Sequence, residues 1–224
     1  MKSYEIARNA EFVGREREMG KLAAIKDSGH AEIIVVYGRR RIGKTELIEQ
    51  AFRKEFVWKF EGIQRDRRKS GSPAAERAYQ ISRCLKRFAR YMETPALARV
   101  RCDSWTDFFE LLDPIIKQQA AMVLYFEEIQ WLSSYSAEFL AEMKPFWDDS
   151  WRHCRGLKIV LCGSAPSFIT RQVMADKALY ARSVHEIHLR EFNPIEIREY
   201  MGAGPREAML AQLKGRITEV SPME

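Results

Sequence analysis

An α/β fold built on a parallel sheet with helices on both faces is what this sequence predicts, and three observations predict it. Five short apolar runs, rich in β-branched and aromatic residues, recur along the 224 residues. Segments with helical periodicity lie between them. A glycine-bounded loop joins the first run to the helix behind it. Near-continuous apolar runs suit strands covered on both faces. Strands alternating with helices suit parallel pairing through right-handed crossovers.

Taken in order, EIIVVY (Glu32 to Tyr37) is the first strand. TELIEQAFRKEF follows as a helix with Leu47, Ile48, Ala51 and Phe52 on one face. FVWKF (Phe56 to Phe60) is the second strand, and QRDRRKSGSP (Gln64 to Pro73) is a charged loop ending in Gly, Ser and Pro. Its Arg65, Arg67, Arg68 and Lys69 either stand in solvent or touch nucleic acid. A helix from Ala74 to Met92 carries a stripe through Tyr79, Ile81, Leu85 and Phe88. WTDFFELLDPIIKQQ begins behind Ser104, a residue type that caps helices, and Pro114 is expected to bend or split it. MVLYFE (Met122 to Glu127) is the third strand, SAEFLAEMKPFWDDSW a helix, KIVLC (Lys158 to Cys162) the fourth strand and VHEIHL (Val184 to Leu189) the fifth. NPIEIREYM places Pro194 in the first turn of a further helix. REAMLAQLKGR reads as one more short helix, too little for an independent domain.

The composition narrows the class. A hydrophobic share of 46% supports one sizeable core, and the net charge of +6 is a mild basic bias that permits acidic partners. Cys84, Cys102, Cys154 and Cys162 form no C-x-x-C pair and read as free thiols in a reducing cytoplasm. His185 and His188, three apart in a strand, face opposite sides and make no metal site. The polar N-terminus lacks a signal-peptide core, and no apolar run reaches the ~18 residues of a membrane span. No internal repeat or low-complexity tract is present.

The chemistry starts at Gly38. Gly38, Arg39, Arg40, Arg41, Ile42, Gly43, Lys44 and Thr45, with Glu46 behind them, fit G-x-x-x-x-G-K-[ST] between a strand and a helix. The glycines let the backbone curl so that its N–H groups and the positive helix end hold phosphate oxygens. Lys44 then reaches the terminal phosphates and Thr45 places its hydroxyl on Mg²⁺. Arg39, Arg40 and Arg41 either add to the field at the phosphates or stand exposed. The third strand ends in Glu127 and Glu128. Such a pair supplies a carboxylate for Mg²⁺, here Glu127, and a general base that polarises water, here Glu128. Aspartate is usual at the first position. The extra methylene adds about 1.5 Å of reach, a displacement of the size that can cost ~10²-fold in rate.

With both motifs in place, the chain resembles the archaeal-type ATPases, a branch of the AAA+ and signal-transducing P-loop ATPases. FVGREREMGKL (Phe12 to Leu22) is similar to the Gly-Arg-Glu box of that family, YGRRRIGKTELI to its phosphate loop, and EEIQWL (Glu127 to Leu132) to its Asp-Glu-x-Gln-Trp-Leu strand end. CGSAPSFI and LYAR (Cys162 to Ile169, Leu179 to Arg182) resemble its sensor strand and Leu-Tyr-Gly-Arg turn. The resemblance implies a five-stranded sheet ordered 5-1-4-3-2, with residues 1–190 as the ATPase core and 191–224 as the start of a helical lid. It implies Val13, Gly14 and Arg15 near the adenine. Ser164 falls at the sensor position, or else caps a turn. Arg182 falls at a phosphate-sensing or finger position, or else is a surface arginine. Ala181 departs from the usual glycine, and the sequence stops about 35 residues past the fifth strand, short of a full lid.

Three functions follow as expectations. The first is a cytoplasmic, Mg²⁺-dependent ATPase, slow in isolation. The second is a nucleotide-binding switch or interaction module with little turnover. The third is a small P-loop kinase, against which the Gly-Arg-Glu box and the Glu-Glu-x-Gln-Trp end both speak. ATP is the expected ligand. Self-association or a protein partner stays open, nucleic acid rests on charge and family analogy alone, and a membrane is not expected.

Overall fold

The structure, a computed structural model, describes residues 1–64, 71–119, 121–134, 136–173 and 184–203. Five parallel strands form its sheet: β1 (Glu32–Tyr37), β2 (Phe56–Glu61), β3 (Met122–Glu127), β4 (Lys158–Gly163) and β5 (Val184–His188). Their order is β2-β3-β4-β1-β5, which is the expected 5-1-4-3-2 read from the other edge. The chain leaves β1 for the far edge and works back through β3 and β4. It then passes β1 to reach β5. β1 therefore has β4 on one side and β5 on the other, with Tyr37 level with both Gly163 and His188.

The alternation of the strands divides the core into two layers. Ile33, Val35, Trp58, Phe60, Leu124, Phe126, Ile159 and Leu161 point to one face. They meet α3 (Pro73–Tyr91), α4 (Trp105–Gln118), the short α5 (Ile129–Leu132) and α6 (Glu138–Asp149). Aromatic rings dominate this layer, and Phe109 packs edge-on against Phe126, Phe139 and Trp151. Ile34, Val36, Val57, Val123, Tyr125, Val160 and Cys162 point the other way, to α1 (Glu16–Asp27) and α2 (Lys44–Phe52). Helices on both faces thus match the expectation.

Local signals hold at the helix ends. Ser104 accepts from the Asp107 amide and the Asp107 carboxylate accepts from the Ser104 amide, a complete capping box at the start of α4. Ser72 caps α3, with Pro73 in its first turn. Of the two effects expected of Pro114, splitting does not occur: α4 runs unbroken from Trp105 to Gln118. The packing of Trp105, Phe108, Phe109, Leu112 and Ile116 against the sheet holds the helix on both sides of the missing donor.

After β4 come a short turn of helix, α7 (Pro166–Phe168), and a wide turn from Ile169 to Val173. After β5 comes α8 (Pro194–Ala203), the expected helix behind Asn193. Asn193 caps it by accepting from the amides of Ile195 and Glu196. The expected helix in 206–216 and the basic loop residues Arg65, Arg67, Arg68 and Lys69 lie outside the described residues, as do Ala181 and Arg182. No helix among the described residues is long and apolar enough to cross a membrane. The four cysteines are free.

Candidate functional site

Parallel strands all end on the same side of the sheet, and the site lies there. The loop after β1 turns sharply at Gly38, where an added Cβ would come within 2.3 Å of the Leu189 carbonyl oxygen. Only glycine fits between β1 and the chain leaving β5. Arg41 (φ 64°) and Gly43 (φ 89°) take left-handed conformations, and the curl they make delivers the chain into α2 at Lys44. Lys44 is 7% exposed. Its ammonium donates to the Gly38 and Arg39 carbonyl oxygens at 3.1 and 2.8 Å, so it spans the loop from below.

Two strands away, β3 ends at the acidic pair. Glu127 is 7% exposed rather than a solvated strand end. One carboxylate oxygen, Oε1, accepts from the Thr45 hydroxyl, which joins the two motifs across 82 residues. The other, Oε2, lies 2.6 Å from the ammonium of Lys59 on β2. Lys59 is also 2.8 Å from Glu49 on α2, and Glu49 accepts from the Tyr4 hydroxyl at 3.0 Å. Burial works against the charge of Lys59, but the Glu127 and Glu49 carboxylates outweigh it and raise its pKa above the ordinary lysine value.

Glu128 adopts a left-handed conformation (φ 53°) and heads α5. Its carboxylate accepts from Ser164 Oγ at 2.7 Å and from the Gln130 amide. Gln130 also donates to Ser164 at 3.1 Å. Arg40 completes the cluster, with its Nε 3.5 Å from Ser164 Oγ and its guanidinium 4.9 Å over the Trp131 ring. The strand ends of β3 and β4 therefore share one polar network, and the loop after β1 reaches into it.

The third part comes from the N-terminal box. Arg15 is left-handed (φ 65°) and 5% exposed. Its guanidinium donates to the Ile42 carbonyl of the phosphate loop at 3.0 Å and lies 4.2 Å over Phe192. Its amide donates to Glu196 of α8 at 3.0 Å, and the same carboxylate accepts from the Asn193 amide at 2.8 Å. Gly14 lies so close to Glu196 that a Cβ there would meet its Cγ at 3.1 Å. The box is thus clamped between the phosphate loop and α8.

Most of the residues singled out from the sequence converge: Gly14, Arg15, Gly38, Ile42, Gly43, Lys44, Thr45, Glu127, Glu128 and Ser164. Arg39, Arg40 and Arg41 are exposed, and Arg39 pairs with Glu191 at 3.0 Å. Glu46 turns its carboxylate to the Asn9 side-chain amide at 2.9 Å. Lys59 and Glu196 do not stand among the residues read from the sequence, and Gln130 stands there only as part of the EEIQWL stretch. Lys59 carried a readable signal, since a lysine inside FVWKF has to find an acid if the strand is buried. Glu196 carried none, because the partner that ties it to the N-terminal box, Arg15, lies 181 residues away.

The donor set suits a small hard cation. A hydroxyl from Thr45 beside a carboxylate from Glu127 fits Mg²⁺, which takes one or two protein oxygens and completes its shell with phosphate oxygens and water.

Comparison with known proteins bears on the fold and the family. The profile of the family described as an ATPase domain predominantly from Archaea matches residues 12–220. An uncharacterised protein of Methanocaldococcus jannaschii is 27% identical over 198 residues, 84% of this chain and 39% of that protein. The chain thus spans well under half of that relative's length. A Walker-type ATPase of Pyrococcus abyssi superposes with a TM-score of 0.61 at 19% identity, over 92% of this chain and 61% of that one. The ORC2 protein of Aeropyrum pernix, solved in ADPNP and ADP complexes, gives 0.58 at 15% identity, over 93% and 56%. A signal-transduction ATPase with a tetratricopeptide repeat sensor from Pyrococcus horikoshii gives 0.51 at 19%, over 95% and 29%.

Proposed function

Because the chain belongs to the family of ATPase domains found predominantly in Archaea, we propose that it binds ATP with Mg²⁺ at the carboxyl ends of β1, β3 and β4 and hydrolyses the β–γ bond, slowly when alone. The observation that carries this reading is the joining of the two motifs: Thr45 behind the phosphate loop donates to Glu127 at the end of β3. Carboxylate and hydroxyl are thereby in contact at the start of α2, one residue after the loop lysine.

The residues divide the work. The backbone amides from Gly38 to Lys44 take the phosphate oxygens, and Lys44 exchanges its loop carbonyls for the terminal phosphates. Thr45 and Glu127 would hold Mg²⁺, which neutralises charge on the β- and γ-phosphates when bound. Glu128 orients a water molecule and accepts its proton as the oxygen adds to the γ-phosphorus. The bond from that phosphorus to the bridging oxygen breaks, leaving ADP and inorganic phosphate. Ser164, Gln130 and Arg40 aim the Glu128 carboxylate. Val13, Gly14 and Arg15 serve the adenine end, a role supported by the Arg15 bond to the phosphate loop.

Purified protein with ATP and Mg²⁺ is expected to release phosphate. Glu128→Gln is expected to lower that rate by about 10²- to 10⁴-fold while keeping ATP affinity, the range for loss of a general base. Equal turnover in both proteins overturns the assignment of Glu128. Lys44→Ala is expected to lose ATP binding.

A second reading, a nucleotide-holding switch, is favoured by one observation. Ser164 and Gln130 both donate to one oxygen of the Glu128 carboxylate, Oε2, so the side chain is already engaged and meets water through its other oxygen. Tight ATP binding with phosphate release no faster than a protein-free control decides for the switch. Residues 191–224 then belong with a lid that closes on the nucleotide, a role supported by the contact of α8 with the Gly-Arg-Glu box.

A further inference from the structure

Lys59 lies outside both motifs, yet among the described residues it is the cation paired with the carboxylate proposed to hold the metal. It projects from β2 to the face shared with α2 and is 9% exposed. Its ammonium is held between two acids, 2.6 Å from Glu127 Oε2 and 2.8 Å from Glu49 Oε1. The rings of Tyr4 and Tyr125 lie 5.3 and 5.1 Å from it. The remaining oxygen of Glu127, Oε1, accepts from Thr45. The carboxylate is therefore fixed at both oxygens, and the charge it offers at the Thr45 side is already partly cancelled.

We propose that Lys59 is a built-in counter-ion that sets how strongly the Thr45–Glu127 site binds a divalent cation, with Glu49 dividing its charge. The inference rests on the reading of that site as the Mg²⁺ site of an ATP-binding protein. Lys59 is a positioning residue, since it acts through Glu127. The arrangement also gives the longer side chain at position 127 a physical use. A glutamate spans Thr45 on α2 and Lys59 on β2 at once, and an aspartate is one methylene shorter. The bond to Lys59 removes the rotameric freedom that the extra methylene adds.

The sign of the effect follows from charge. Replacing Lys59 by methionine keeps the unbranched stem, one atom shorter, and removes a positive charge beside Glu127. The site becomes more negative, so a divalent cation binds more tightly. The expected change is about ten-fold, the size one unit charge exerts on a divalent ion several ångströms away when water screens the pair. Removing the charge of Glu49 acts in the opposite direction. In Glu49→Gln the ammonium has Glu127 as its one carboxylate, which weakens cation binding. The glutamine oxygen can still accept from Tyr4.

The test is a Mg²⁺ titration of the binding of a fluorescent ATP analogue to the whole chain, read at equilibrium with no turnover. The Mg²⁺ midpoint is expected to fall about ten-fold in Lys59→Met, to rise in Glu49→Gln and to stay at the wild-type value in Lys59→Arg. Affinity for the analogue without Mg²⁺ is expected to be the same in all four proteins. A role confined to stability would instead weaken binding with and without Mg²⁺ alike. An unchanged or higher midpoint in Lys59→Met overturns the proposal. If Lys59→Met does not fold, because two buried carboxylates lose their cation, Glu49→Gln carries the test alone. A rise then supports the proposal and any other result overturns it. A wild-type chain that binds no analogue overturns the functional reading as well. Binding with one shared midpoint overturns only the role of Lys59.

Discussion

Gly38 shows how much a single position carries. No side chain fits there, because a Cβ would stand 2.3 Å from the Leu189 carbonyl oxygen and 2.6 Å from the Ile42 methyl. Gly38→Ala has to push the chain after β5 away from β1, and this distorts the loop that Lys44 spans. The expected result is a loss of ATP binding together with destabilisation of about 1–3 kcal/mol, the range for forced overpacking. Isothermal titration and urea denaturation measure the two effects. Unchanged affinity would show that the loop tolerates the shift. The residue scale is also where the phosphate-loop pattern is written most locally. Gly38, Gly43, Lys44 and Thr45 were legible because the phosphate loop is local, so its spacing alone encodes its shape. Glu128 was legible as the second acid after an apolar strand. Its partners Ser164 and Gln130 were named within motifs, but their bonds to it were not, since Ser164 reaches Glu128 from another strand 36 residues on.

At the scale of elements, β1 and β4 are tied by a second buried charge cluster. Lys158 begins β4, is 2% exposed, and donates to Glu32 of β1 at 3.1 Å, to Ser28 Oγ at 2.9 Å and to the His30 carbonyl at 2.6 Å. Burial favours the neutral Glu32 acid, but the bonds and charge of Lys158, with help from Ser28 and His185, prevail and lower its pKa. A carboxyl lowered by folding contributes stability in full above its unfolded value, near 4.5, and that stability is lost as pH falls through the lower folded value. Acid unfolding is therefore expected to steepen below about pH 4.5, and Glu32→Gln to flatten that part of the curve. Circular dichroism against pH checks it, and identical slopes for the two proteins would remove Glu32 from the account. Most of the elements were legible: all five strands and helices α2, α3, α4, α6 and α8 follow from apolar runs and helical stripes, whereas α1, which buries only Leu22 and Ile25, was not read as a helix. The outcome at Pro114 is informative. Pro114 weakens α4 locally, but burial of one whole face outweighs one missing donor, and local propensity does not record that burial.

For the whole molecule, the clamp formed by Glu196 joins the two ends of the described chain. Its carboxylate accepts from the amides of Arg15 and Asn193, and it presses against Gly14. Glu196→Ala leaves two amides without this acceptor, at a cost of about 1–3 kcal/mol. It also frees α8 from the Gly-Arg-Glu box. A lower urea midpoint and weaker ATP affinity are expected together. A drop in stability at constant affinity would separate the box from the nucleotide. By itself the amino-acid sequence determined that this chain builds a two-faced parallel sheet, carries a phosphate loop after the first strand and ends the third in two acids. Those features are written in periods and spacings of a few residues, which need no distant partner to be read. The tertiary structure alone decided which groups meet: Thr45 with Glu127, Glu127 with Lys59, Glu128 with Ser164, and Arg15 with Ile42 and Glu196. The physical reason is the strand order. Parallel strands far apart in sequence bring their carboxyl ends to one edge, and charges that must be paired when buried find their partners there rather than along the chain.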